Sequence, residues 1–158
     1  MGVTITYEVG VEALQNALKA NYDAESAFRQ LLEKANDEVT RCYLIEKANV
    51  IKHFSITIVG LLKEMSIQPL EKGSVLGGVA RLWFDIKSLV VEHHALSIIE
   101  EAKTVEEEFC ATYNRLIKAG IHSEKVYNVL VSQLSEMHAL NYPNMILNTK
   151  SINQTIPF

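Results

Sequence analysis

Carboxylates on the apolar side of a helix carry the most chemical potential in this chain of 158 residues. A buried carboxylate is costly unless a cation or a shared proton relieves it. Positions 18, 21, 25, 28 and 32 read Leu, Asn, Glu, Phe, Leu, and seven residues at 100° each set Glu25 about 20° from Leu18. Further along, Glu46, Asn49 and His53 follow one another at i, i+3, i+7 beside Cys42 and Val50. The stripe 99, 102, 106, 109, 113 reads Ile, Ala, Glu, Phe, Tyr and adds Glu106. A turn centred near residue 36 would set Glu25 level with residue 47, beside Glu46. The same count about Gly120 sets Glu106 level with residue 134, near Gln133 and Glu136. Glu25, Glu46 and Glu106 are therefore expected to converge from three helices on one layer and hold iron or manganese, with His53 as an outer partner.

Dinuclear sites in helical bundles ask for a Glu from each of two helices and a Glu-x-x-His from each of the other two. No Glu-x-x-His occurs here. His53 does not repair the motif, because two helical turns put it about 10 Å along the axis from Glu46, whereas a dinuclear site spans roughly 4 Å. Rapid ferroxidase turnover is accordingly not expected even with metal bound. The competing reading is structural, with the three carboxylates bonded to Asn21, Asn49, Tyr113 or a lysine at the core margin. His93 and His94 point about 100° apart on a helix and mark a bend. Of Glu100, Glu101, Glu106, Glu107 and Glu108, all but Glu106 fall toward solvent as an ordinary charged face. Gly73-Ser-Val-Leu-Gly-Gly lacks the Gly-Lys-Ser/Thr of a phosphate loop, and no Ser/His/Asp or Cys/His grouping specifies nucleophilic catalysis.

The elements that must position these residues read as helices throughout. Apolar residues at helical spacing run from Val11 to Leu32 and stop at Ala35-Asn36-Asp37, a turn and a new N-cap. The next pattern runs from Val39 to Met65 and closes over Ser66 to Gly73, with Pro69. A second pair follows, with apolar positions from Leu96 to Leu116 ending at Gly120, then Val126 to Met137 ended by Pro143. The two antiparallel hairpins, residues 10–65 and 95–141, are separated by a connector whose Val75, Val79, Leu82, Trp83, Ile86, Leu89 and Val90 form one apolar side of a helix of its own. The expected fold is all-α, a four-helix bundle with one long crossover. Residues 1–142 form that single domain, and residues 143–158, without a period, form an extended tail.

Within the connector, Gly73-Ser74 precedes Arg81, Trp83 and Asp85-x-Lys87. Together with Asn21-Tyr22-Asp23 and with Tyr113 seven residues after Glu106, this resembles an uncharacterised bacterial family of ferritin-like four-helix-bundle proteins. The resemblance covers most of residues 10–141 and implies a ferritin-like bundle with a metal site, but no substrate. In place of the family's acidic-basic-Gly-Glu run stands Lys103-Thr104-Val105-Glu106, and a late histidine is matched loosely by His138.

A net charge of −4 and a pI near 5.7 argue against a binder of phosphate backbones, since no segregated basic face is visible. No charged n-region precedes an apolar run, so a cytoplasmic protein is expected. Cys42 and Cys110, 68 residues apart, read as core thiols. The leading expectation is a small, stress-related, metal-binding protein. The alternative is a non-catalytic helical dimerisation or partner-binding module that docks through the connector around Trp83. In either case a homodimer is expected, because Ile152, Ile156 and Phe158 of the tail are too sparse to fold alone.

Overall fold

The computed structural model describes residues 2–73, 94–120 and 122–140. These form helices α1 (Gly2–Lys34), α2 (Glu38–Glu64), α3 (His94–Lys118) and α4 (Glu124–Ala139), with no strand among the described residues. Helix α1 begins nine residues before Val11, through Val3-Thr4-Ile5-Thr6, whose β-branched side chains have weak helix preference and no amphipathic period. The other boundaries lie where local chemistry puts them. Asp37 caps α2 by accepting from the Thr40 N–H at 2.8 Å, and Ser123 caps α4 by accepting from the Val126 N–H at 3.3 Å. At the end of α1, Arg41 donates to the carbonyls of Leu32 and Ala35, both at 3.1 Å, and satisfies acceptors the helix leaves open. Helix α2 ends in a Schellman turn: the Ser66 N–H donates to Lys63 O and the Ile67 N–H to Leu62 O at 2.9 Å, while Ser66 takes a φ of 61°.

Helix directions follow from the cross-helix contacts. Val9 approaches Gly120 and Asn21 bonds Tyr113, so α1 and α3 run antiparallel. Lys47 meets Glu106 and Phe54 stacks on Phe109, so α2 and α3 run in the same direction. Parallel neighbours cannot be joined by a tight turn and need a long connection. Its start is described. Gln15 of α1 donates to Gln68 O and accepts from the Leu70 N–H, and Tyr22 donates to Leu70 O at 3.1 Å. Gly73 then lies so close to Asp23 that an added Cβ would be 3.2 Å from the Asp23 backbone nitrogen and in collision with its carboxylate. The connector helix around Trp83, His93 and the tail from Pro143 lie outside the described residues.

The core takes Leu14, Leu18, Phe28 and Leu31 from α1, and Tyr43, Leu44, Ile51, Phe54 and Ile58 from α2, all buried. Phe109 of α3 joins them between Phe54, 6.3 Å away by ring centroids, and Tyr113, 4.5 Å away. Cys110 is buried as expected, but Cys42 is exposed. It sits one residue, about 100°, before the inward Tyr43. Among the described residues, no helix is long and apolar enough to cross a membrane.

Candidate metal centre

The buried stripe of α2 contains a lysine. Positions 44, 47, 51, 54 and 58 read Leu, Lys, Ile, Phe, Ile, and Lys47 is completely buried among them. Its ammonium donates to Glu106 Oε2 at 3.0 Å, to the Met137 carbonyl at 3.1 Å and to Met137 Sδ at 3.3 Å. Three N–H donors thus meet three acceptors. The ring of Tyr43 lies below the ammonium, 5.6 Å away at its centroid, and the Tyr43 hydroxyl donates to Glu106 Oε2 at 3.4 Å. Burial pulls the Lys47 pKa below the usual amine value, and the Glu106 carboxylate opposes that pull.

Beside this ion pair, Glu106, Cys110 and His138 each offer one ligand atom, and these atoms lie within 4.8 Å of one another. Glu106 and Cys110 are four residues apart and share a face of α3. Helix α4 brings the third. Tyr113 donates to Gln133 Oε1 at 2.6 Å, a register that sets residue 138 opposite the turn between Glu106 and Cys110. Burial, followed by the nearby carboxylate of Glu106, pushes the Cys110 thiol up to about 11, so the thiol is protonated at neutral pH and a metal would have to displace that proton. His138 is exposed and Glu106 half-buried, which leaves the cluster open to solvent on one side.

A second polar layer lies one turn deeper. Tyr113, fully buried, reaches Asn21 Oδ1 at 3.2 Å as well as Gln133, whose amide donates to the Phe54 carbonyl at 3.3 Å. One hydroxyl proton cannot serve two acceptors, and Asn21 Nδ2 is buried without a partner. Turning the Asn21 amide lets Nδ2 donate to the phenolic oxygen while Tyr113 donates to Gln133. Desolvation holds the Tyr113 phenol well above its ordinary range, so it works as a neutral donor.

Of the four residues expected to hold metal, only Glu106 enters this cluster. Glu25 is half-buried and paired with Arg29 four residues on, at 2.8 Å. Glu46 and His53 are exposed on α2, and His53 lines a groove of about 410 Å³ shared with Glu136 of α4. The expected meeting of Glu25, Glu46 and Glu106 does not occur, for two reasons. Glu46 is one residue out of phase with the buried stripe, so the inward position level with Glu25 belongs to Lys47. The second hairpin turns about Ser123 rather than Gly120, because the cap of α4 is Ser123, and this moves the residue level with Glu106 from near 134 to near 140, within a turn of His138. Sequence reasoning missed Lys47, Cys110 and His138 as members of this site. The structural alternative, a carboxylate bonded to a lysine, is what Glu106 adopts.

Of the residues that carried the family resemblance, Asn21 and Tyr113 bond each other, Asp23 faces Gly73, and Glu106 receives Lys47, while Ser74, Arg81, Trp83, Asp85 and Lys87 lie outside the described residues. Residues 10–119 match the family model described as a domain of unknown function (DUF2383). The chain belongs to the DUF2383 family. No curated protein and no solved structure was found to match it. The DUF2383 match spans α1, α2 and α3 but ends before α4. Glu106 and Cys110 lie inside the matched DUF2383 domain, whereas His138, Met137 and Gln133 come from the helix that follows it.

Proposed function

We propose that this protein is a ferritin-like bundle that binds one divalent metal ion through Glu106, Cys110 and His138. The observation that carries the reading is the approach of a carboxylate oxygen, a thiol sulfur and an imidazole nitrogen to within 4.8 Å of one another. Zinc held at about 2.0–2.3 Å from such ligands draws them to within about 4 Å of each other. The side chain of exposed His138 has the freedom to close that gap. A donor set of one thiolate, one imidazole and one carboxylate suits zinc better than the iron or manganese expected for carboxylates alone. Three protein ligands leave a fourth position for water. The parallel α2 and α3, with the crossover they require, support the ferritin-like plan.

A second reading has its own support in the 3.0 Å contact between Lys47 and Glu106. There the half-buried carboxylate is neutralised internally, and the bundle is a structural or partner-binding module without metal. Elemental analysis of protein purified without chelator separates the two. About one zinc per chain is expected in the wild type, with Cys110→Ser and His138→Ala each losing most of it while keeping the helical circular-dichroism signal. Equal metal content in the wild type and both variants would remove the site.

A further inference from the structure

On the basis of the metal reading above, we infer that Lys47 is a tethered cation that competes with the metal for Glu106, so that this lysine lowers the affinity of the site. The ammonium is fully buried, and four groups surround it: Glu106 Oε2 at 3.0 Å, the Met137 carbonyl at 3.1 Å, Met137 Sδ at 3.3 Å and the Tyr43 ring at 5.6 Å to the centroid. Glu106 therefore serves two cation positions at once, the ammonium and the space shared with Cys110 and His138.

Two responses to an incoming divalent ion are open, and both oppose it. If the ammonium stays, a monovalent and a divalent cation share one carboxylate in surroundings of lowered dielectric, where like charges a few ångströms apart repel strongly. If it leaves, it gives up all three hydrogen bonds, and Glu106 Oε2 and the Met137 carbonyl keep only the longer bonds from the Tyr43 hydroxyl at 3.4 Å and the Leu140 N–H at 3.3 Å. The Met137 carbonyl belongs to the last turn of α4, next to His138, so displacement of Lys47 also disturbs the helix end that presents the third ligand. A site built this way fills when metal is plentiful and empties when it is scarce. That is the behaviour of a buffer or sensor of divalent metal, unlike that of a permanently loaded structural centre.

The test is a zinc titration of the metal-free full chain against a chromophoric chelator at one fixed pH, comparing wild type, Lys47→Met and Lys47→Gln. Methionine keeps the length and apolar stem of lysine. Glutamine keeps hydrogen bonding without charge and serves if the methionine variant does not fold. Each variant is also made with Cys110→Ser, which should abolish tight binding in every background. Removing the charge is expected to tighten zinc binding at least about tenfold, with the sulfur-to-cobalt absorption band of the cobalt form unchanged. Zinc affinity in both lysine variants equal to or weaker than that of a zinc-binding wild type would overturn the competition and leave the metal site standing. Absence of binding in the wild type and in both variants would overturn the metal reading and the inference together.

Discussion

At the scale of single residues, burial shifts three interior groups toward their neutral forms. Lys47 is drawn toward its neutral form, whereas Cys110 and Tyr113 are held protonated. The sign for Cys110 is definite. Its pKa is raised from 9.0 to about 11 in the folded chain, so it favours the native state fully below about pH 9 and loses that contribution as pH rises toward about 11. In excess chelator, urea midpoints at about pH 8 and about pH 10.5 should fall further apart for the wild type than for Cys110→Ala, by a difference on the order of 1 kcal/mol. The other titrating groups are common to both proteins. Equal alkaline losses would mean that the thiol is better solvated than its position implies.

At the scale of elements, Gly73 seats the described start of the crossover against α1. A side chain there would meet the Asp23 carboxylate and lie 3.2 Å from its backbone nitrogen. Because helix backbone cannot yield as a flexible side chain does, Gly73→Ala should cost about 1–3 kcal/mol, read as a lowered melting temperature. Asp23→Ala in the same chain should recover part of the loss, since it removes the carboxylate and leaves only the backbone contact. An unchanged melting temperature for Gly73→Ala would show that the segment shifts away from α1 at little cost. The same contact gives a physical reason for pairing Asn21-Tyr22-Asp23 with Gly73: one motif supplies both a buried polar bond to Tyr113 and the seat of the crossover.

For the whole molecule, a homodimer is the proposed assembly. Leu96, at 76% exposure, and Ile56, at 58%, are apolar residues that the described helices do not cover. Light scattering on the full chain and on one ending at Asn141 is expected to give a dimer and a monomer respectively. A monomer in both cases overturns the dimer, and a dimer in both overturns the part of the tail. A larger groove of about 620 Å³ runs between α1 and α3, lined by Asp23 and Phe109 and not by His138.

The sequence by itself determined four helices and the breaks after the first two, because periodicity, Asp37 and the Ser66–Gly73 stretch act over a few residues and need no distant partner, whereas the start of α1 and the cap at Ser123 are visible only in the structure. It also marked Glu106 as an inward carboxylate on the stripe of Ile99, Ala102, Phe109 and Tyr113, whereas its reading of both cysteines as core thiols, made from their lack of a pairing motif, holds for Cys110 and fails for Cys42. Which groups meet was decided by tertiary structure. A one-residue error in phase turns a side chain by about 100°, enough to exchange Glu46 for Lys47 at the centre of α2. A three-residue error in the turn centre moves the partner of Glu106 by more than a turn of α4, from the neighbourhood of Gln133 to His138. Lysine is also the residue least expected in a core, because its desolvation is costly until a carboxylate from another helix is in place. That carboxylate lies 59 residues away in the chain, and only the packing of α3 against α2 brings the two together.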